Sequence, residues 1–381
     1  MRPAPEYLRS IKRLVDLVVR RLLEQIFRRS HDQSAKSVLL VRTDGIGDFV
    51  YSVRYLEAIR EKHKGDKLVL CCTNETAVLA RSITLIDEVL GFDSLRCRRN
   101  YFYRYRLLKK IRSTGPTVAM YLSYHRENIG DEMTLFSGAR ETFAFSGNDE
   151  CIHHSTRLRN NREFSCCVDV LDHIPERQKY AEMMKRIGCT TLDDGISISF
   201  ERSFVLPSKS RDKAPQRTTN APYAVLGPGG SGEIRRWPSD KFALLADRLS
   251  SESSLGIVLC GNRKEHQILF DIARAMKRPA EICSDYHLPE VVALIRDARA
   301  FVGNESGLLH VAASLNTPAI GILGGGHFNR YFPYGSAKIV HHSMECYECN
   351  WSCKYPEPYC ITDISVDDVM KEFYSLRLET L

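Results

Sequence analysis

The sequence predicts an α/β protein made of two doubly wound parallel sheets facing each other across a cleft. Three observations carry this. Strand-like apolar runs alternate with helix-patterned segments along most of the chain, which implies parallel sheets covered by helices. Residues 201–220 hold Pro207 and Pro215, are rich in Ser, Lys and Arg, and lack periodicity, as an interdomain linker does. Glycine-containing loops follow predicted strands on both sides of that linker, where sheets of this kind build ligand sites.

At 381 residues the chain can hold two such domains, and an apolar content of 43% lets each bury a core. The net charge of +7 suits acidic partners: a nucleotide diphosphate, a phosphorylated glycolipid or an anionic membrane face. The charge is diffuse and no aromatic-plus-basic signature accompanies it, so no nucleic acid is expected as a partner. Charges interrupt the apolar residues of Met1–Ser30 every few positions, which leaves neither a signal-peptide core nor a spanning helix. Nine of the 13 cysteines are scattered, and several (Cys71, Cys72, Cys260) fall in predicted core strands. Thiols used as small hydrophobes point to a reducing, cytoplasmic compartment.

Glu6–Arg29 reads as one amphipathic helix. Leu8, Ile11, Val15, Val18, Leu22 and Ile26 form a stripe, and seven Arg or Lys face three acids. Such a helix can lie on an anionic membrane or pack on its own domain or a partner subunit; Leu14, Leu17 and Val19 widen the apolar face and favour packing. Next come a strand at Ser37–Arg42, a tight loop at Thr43–Gly47, and a helix with Asp48 in its first turn. In that helix Val50, Val53, Tyr55, Leu56 and Ile59 recur at helical spacing. Further strands are predicted at Lys67–Cys72, Glu88–Phe92, Thr117–Leu122 and Glu141–Phe145, with helices from Asn74 and over Tyr101–Arg112 and Pro175–Gly188. Beyond the linker, strands are predicted at Tyr223–Leu226, Leu255–Cys260, Ala300–Val302 and Ala319–Leu323. The helices between them run from Pro238 to Ser250, from Asn262, and over Leu288–Ala298 and Ser306–Leu315. A last helix, Ile364–Leu378, is expected to pack back across the first domain. The expected plan is thus a basic helix (1–35), an acceptor-side domain (36–200), the linker (201–220), a donor-side domain (221–362) and a C-terminal helix (363–381).

The first loop is neither a dinucleotide fingerprint nor a Walker loop, because GIGD lacks the third glycine and offers a carboxylate where a phosphate would sit. Asp48 therefore reads as a group for chemistry at an acceptor hydroxyl or as a first-turn acid favoured by the helix dipole. Gly45 and Gly47 let backbone approach a ligand closely. In the second half three loops lie at strand ends: Gly227–Trp237 with Gly229, Ser231, Arg235 and Arg236; Gly261–Glu265; and GNESG at Gly303–Gly307, opening a helix that carries His310. Glycine backbone, two arginines and the Ser306–Gly307 amides at a helix N-terminus suit a diphosphate. Glu265 suits ribose hydroxyls. Each also has a plainer reading: Arg235 and Arg236 as surface charge, Glu305 as a first-turn acid, His310 as a core histidine. Three loops at matching positions favour the functional one.

The blocks VLLVRTDGIGDFVYSVRYLEAIR, LGPGGSGEIRRWPSDKFALLADRL and FVGNESGLLHVAASLNTPAIGILGG, in that order, resemble glycosyltransferase family 9, the ADP-heptose:lipopolysaccharide heptosyltransferases. The resemblance runs from about Ser37 to about Ile364 and is loose over residues 95–200. It implies a GT-B fold with two Rossmann-like domains, and inverting transfer of a heptose or related sugar from an ADP-sugar to a lipopolysaccharide core or similar surface glycan. A protein acceptor, or nucleotide-sugar binding without catalysis, is the alternative. It further implies Asp48 as general base, Arg235 on the diphosphate, Glu265 on the ribose, and Ser306, Gly307 and His310 in the family's D-[ST]-G-x-x-H block. Here Glu305 stands where Asp is usual. The loops hold no DxD-like pair, so transfer is expected to need no metal. The implied partners are the ADP-sugar, a phosphorylated glycolipid and the inner face of the bacterial inner membrane.

Cys346, Cys349, Cys353 and Cys360 form C-x2-C-x3-C-x6-C. The spacing suits a closed structural zinc or iron site, or equally a loop held by reduced or partly bridged thiols. The resemblance gives this segment no part in transfer, and its loosening is expected to leave nucleotide binding intact.

Overall fold

The computed structural model describes residues 6–27, 36–189, 204 and 221–376. The predicted linker falls almost wholly outside them. Each half is a six-stranded, all-parallel sheet with helices packed on it. The first comprises β1 (Ser37–Val41), β2 (Lys67–Thr73), β3 (Glu88–Phe92), β4 (Pro116–Tyr121), β5 (Glu141–Phe145) and β6 (Cys166–Val168), in the order β3-β2-β1-β4-β5-β6. The second comprises β7 (Tyr223–Gly227), β8 (Gly256–Cys260), β9 (Glu281–Cys283), β10 (Ala300–Asn304), β11 (Ala319–Ile322) and β12 (Ala337–Val340), in the order β12-β11-β10-β7-β8-β9. The topological switch lies beside β1 in one sheet and beside β7 in the other, and loops at those strand ends open on a crevice.

The central strands are apolar throughout because both faces are covered. Val38, Leu39, Leu40 and Val41 are fully buried, as are Val225 and Leu226. One apolar cluster runs through both halves, from Val38 and Phe145 to Val225 and Phe301, so the two domains share a core below the cleft. Inside the first half Arg126 and Asp131 pair at 2.8 Å with no exposure, and Asn160 donates to the same carboxylate at 2.6 Å. A charge so buried persists only when it is paired and hydrogen-bonded.

The predicted strands and helices appear with ends shifted by a few residues. Several elements were not foreseen: helices Ser94–Arg99, Asn128–Leu135 and His154–Asn161, and strands β6, β9 and β12. They are short, and β6 and β9 have three residues each, too few for a period to show. The last helix, Val366–Tyr374, corrects an expectation. It packs Val369, Met370 and Phe373 into the core of the second domain, not the first. Trp237 anchors it by donating its indole N–H to the Ile364 carbonyl at 2.9 Å.

The N-terminal helix, α1 (Glu6–Phe27), packs on its own domain, but not by the stripe that its periodicity picks out. Leu23 and Phe27 enter the first-half core with Val19 beside them, and buried Arg20 bridges Glu24 and Glu163. Val15, Val18, Leu22 and Ile26, four members of the predicted stripe, lie 42–53% exposed. The helix is apolar on two faces and its own domain covers one.

Candidate functional site

The site begins where β1 ends. The chain turns at Gly45, which caps α2 (Ile46–Lys62), and Asp48 falls in the first turn of that helix. Across the cleft, β10 ends at Asn304 and Ser306 caps the helix Gly307–Ser314. The two helix N-termini meet closely: a Cβ on Gly47 would stand 2.8 Å from the His310 ring, and one on Gly307 would stand 3.6 Å from the Gly47 nitrogen. Only glycine at 47 permits this approach.

Below the meeting point an aromatic cluster joins the domains. Tyr51 of α2 packs edge-on against Tyr331 and Tyr334 at 5.2 and 5.1 Å, and the Arg54 guanidinium lies 4.8 Å from the Tyr51 ring and 4.9 Å from the Tyr334 ring. The His310 Nδ1 hydrogen-bonds the Tyr334 hydroxyl at 2.7 Å. Above it opens a cleft of about 790 Å3. The positions singled out as site candidates in the sequence line it: Gly45, Gly47 and Asp48 on one side; Gly229, Ser231, Arg235, Arg236, Glu265, Glu305, Ser306, Gly307 and His310 on the other.

Asp48 is the acidic residue in the first turn of its helix, where the dipole favours it. Its carboxylate accepts a hydrogen bond from the Tyr331 hydroxyl across the cleft. Burial pushes this carboxyl up, but Arg330, the Tyr331 hydrogen bond and Arg42 together hold it below the usual range. Asp44 behaves oppositely: burial and the neighbouring Asp48 raise it, although Arg42 forks onto it at 2.9 and 2.5 Å and Ser123 donates at 2.7 Å. The two nearby carboxyls are thus shifted in opposite directions, Asp44 up and Asp48 down, and Asp48 is the one that faces the main cleft. His310 is pushed down to about 4, chiefly by burial, with Arg330 and Arg54 adding to the effect, so its ring is neutral at pH 7.

The facing wall divides its work. Arg236 donates to the Gly230 carbonyl at 3.3 and 3.0 Å and braces the glycine loop. Glu265 braces it from the other side, accepting from the Gly230 N–H at 3.0 Å and from the Asn262 N–H and side-chain amide at 2.9 and 2.7 Å. Gly229 lets that carboxylate come close to the backbone: a Cβ there would stand 2.3 Å from it and displace it from the loop. Buried Asn304, which the motif reading passed over, accepts from the Trp237 N–H at 3.0 Å and donates to the Pro228 carbonyl at 2.7 Å, so it shapes both ends of the loop. Arg235 is left: among the described residues its guanidinium meets no hydrogen-bond acceptor. Glu305 has one buried carboxylate oxygen with no partner among the described residues.

Sequence reading missed the loop after β11. Its residues His327, Arg330 and Tyr331 line the cleft. Arg330 also pairs with Glu176 of the first domain at 3.3 Å, and the Glu176 N–H donates to the Arg330 carbonyl at 2.9 Å. The available signal was the aromatic and basic run HFNRYFPY, which lies outside the recognised blocks.

The four clustered cysteines are free thiols lining one small pocket. Among the described residues no three His, Cys, Asp or Glu side chains are set to hold a metal ion. The segment does not stand apart from the cleft as expected: its Trp351 ring lies 4.8 Å from the Arg235 guanidinium.

Two facing parallel-sheet domains with a glycine-lined cleft between them define a GT-B architecture. Residues 198–358 match the family described as glycosyltransferase family 9 (heptosyltransferase), so the likeness read from the three blocks is borne out. The lipopolysaccharide heptosyltransferase 2 of Escherichia coli K12 is 35% identical over 190 residues, 45% of this chain and 54% of that enzyme. The chain thus matches about half the length of that relative. Among solved structures, a family 9 glycosyltransferase from Veillonella parvula superposes with a TM-score of 0.73 at 17% identity, covering 91% of this chain and 98% of that one. The E. coli ADP-heptose heptosyltransferase II gives 0.66 at 18%, covering 89% and 98%. The iron-containing dodecameric glycosyltransferase TibC of enterotoxigenic E. coli gives 0.55 at 14%, covering 91% and 77%.

Glu305 is pushed up to about 7, by burial first and Asp48 last, against Arg235 and Arg330. A carboxyl raised in the folded state stabilises below its unfolded pKa, and that stability is lost as pH rises through the folded value. Between pH 5 and 8 the wild type is therefore expected to lose roughly 2–3 kcal/mol that a Glu305→Gln variant keeps. Urea unfolding at both pH values checks this; equal losses in the two proteins refute it.

Proposed function

We propose that this protein is an inverting glycosyltransferase that moves a heptose or related sugar from an ADP-sugar to a lipopolysaccharide core or similar surface glycan. One observation carries the reading: an ionised carboxylate, Asp48, faces cations and helix-terminal amides across a single cleft. The heptosyltransferase relatives support the class of sugar and acceptor.

In this reading the donor diphosphate lies on the second domain, against Arg235 and the N–H groups of Gly229, Ser231, Ser306 and Gly307. Negative charge grows on the leaving diphosphate, and fixed N–H groups and a cation stabilise it without reorganising. The acceptor hydroxyl enters from the first domain, past Gly45 and Gly47. Asp48 takes its proton as the oxygen attacks the sugar carbon from the face opposite the diphosphate. Tyr331 and Arg330 keep Asp48 charged and aimed. Neutral His310 adds no cation to compete with Arg330. Glu265 reaches the ribose only with lone pairs not spent on the glycine loop.

Asp48→Asn keeps the shape and removes the proton acceptor. Transfer is expected to fall about 10²-fold or more while ADP binding is retained. Near-normal turnover with an ADP-sugar donor would refute the assignment.

Two readings of the cysteine pocket stand level: a closed structural metal site, or a loop held by its reduced thiols, since among the described residues no three of its side chains are set to hold an ion. Burial and the other three thiols raise the Cys360 thiol, a like-charge pressure that a bound cation would relieve. Cys346, Cys349, Cys353 and Cys360 would hold zinc or iron with no open position, so the metal would order the segment and not react. Under the metal reading the purified protein carries about one equivalent. Less than about a tenth, with the four thiols titrating freely, would dismiss the metal.

The covered face of α1 leaves Val15, Val18, Leu22 and Ile26 outward, and the neighbouring helix Tyr101–Arg112 exposes Phe102, Arg106, Lys109 and Lys110. No helix among the described residues is long and apolar enough to cross a membrane. Apolar residues beside cations suit the surface of an anionic bilayer, where a glycolipid acceptor resides. The protein is expected to sediment with phosphatidylglycerol vesicles and not with phosphatidylcholine vesicles, and Val18→Glu/Leu22→Glu to abolish this. Equal binding of the double variant refutes the surface.

A further inference from the structure

The cysteine-rich segment backs the wall of the cleft. Its backbone pins the loop after β11: the Glu348 N–H donates to the Gly325 carbonyl at 2.7 Å, and the Asn350 N–H to the Gly326 carbonyl at 3.1 Å. The Asn350 side chain reaches His327 at 2.9 Å on one side and Glu150 of the first domain at 3.0 Å on the other. Glu348, Asn350 and Trp351 adopt φ of 65°, 48° and 60°, a left-handed conformation that side-chain-bearing residues rarely take. Such a turn persists only where its surroundings over-determine it, and such turns gather at functional sites.

What the turn delivers is the Trp351 ring. It lies on bare backbone: a Cβ on Gly326 would fall 2.3 Å from the indole, and one on Gly324 2.9 Å. The indole N–H meets no acceptor among the described residues, so the ring offers its face and not a hydrogen bond. That face lies against Arg235, which burial has partly stripped of water. A guanidinium stacked on an aromatic face keeps all its N–H donors in plane and free at the edge. For a cation that must receive a diphosphate, this is a support that does not use up its donors.

We propose that Trp351 is a positioning residue of the donor site: the cysteine-rich segment holds its ring against Arg235 and so sets how firmly the cleft grips a nucleoside diphosphate. This rests on the reading of Arg235 as the diphosphate contact. The packing of the segment is thereby coupled to donor affinity, although none of its residues needs to touch the donor.

The test is calorimetric titration with ADP and with adenosine of the wild type, Arg235→Ala, Trp351→Ala, Trp351→Phe and the double alanine variant. Trp351→Ala is expected to weaken ADP about three- to thirtyfold, the worth of a cation–π contact, with adenosine unchanged. The double variant should be no weaker than Arg235→Ala, and Trp351→Phe should recover most of the loss. A double variant that loses the product of the two single effects overturns the inference, as does equal weakening of adenosine. If Arg235→Ala itself leaves ADP affinity unchanged, the diphosphate reading falls and the inference with it. Thiol titration of Trp351→Ala checks that the segment is intact; if it is not, the Phe variant decides, and a Phe variant as weak as Ala refutes the ring's role.

Discussion

The cleft depends on how closely two helices approach across it. α2 and the helix Gly307–Ser314 each present an N-terminus, and at the point of contact neither has a side chain: Gly47 faces His310 and Gly307 faces Gly47. That contact sets the distance from Asp48 to everything on the second domain. Helix N-termini bring unpaired N–H groups and positive potential, so a gap between two of them suits a ligand with negative charge in the middle. The aromatic cluster of Tyr51, Tyr331, Tyr334 and His310, with Arg54 stacked between two rings, sits directly beneath and resists sliding of one domain on the other.

Around that contact the electrostatics are divided by side. The first domain contributes carboxylates, Asp44 and Asp48, and the loop after β11 returns from the second domain to hold one of them charged. Arg330 is the shared element: it pairs with Glu176 in the first domain, and its charge acts on Asp48 and Glu305 alike. The arrangement keeps one carboxylate ionised and places another near neutrality within one cleft, which a single dielectric environment could not do. The glycine loop is stiffened separately, by Arg236, Glu265 and Asn304, so its N–H groups are held in place before any ligand arrives.

Two surface features change meaning once their surroundings are known. α1 has enough apolar surface for two partners, and the domain takes the face that includes Val19, Leu23 and Phe27. The cysteine-rich segment, too small for a core of its own, is ordered against three consecutive glycines, Gly324–Gly326, whose lack of side chains admits Tyr347 and Trp351. Both were recognisable as unusual stretches, but which neighbour each would meet depended on residues far away in the chain.

From the sequence alone came the α/β class, the two-domain division, most central strands and the residues that line the cleft. These follow from local facts: apolar runs covered on both faces, glycines at strand ends and a first-turn acid all leave a mark within a dozen residues. Short edge strands such as β9 and β12 left none, and neither did the partner of the last helix. Only the tertiary structure decided which face of α1 is buried, that Arg236 braces the glycine loop while Arg235 is left lining the cleft, and that Asp48 is held ionised by Tyr331 and Arg330. Those outcomes depend on burial and on charges brought together from positions some 280 residues apart, as between Asp48 and Tyr331. A pKa or a packing partner is a property of the assembled surroundings, and local pattern carries no record of it.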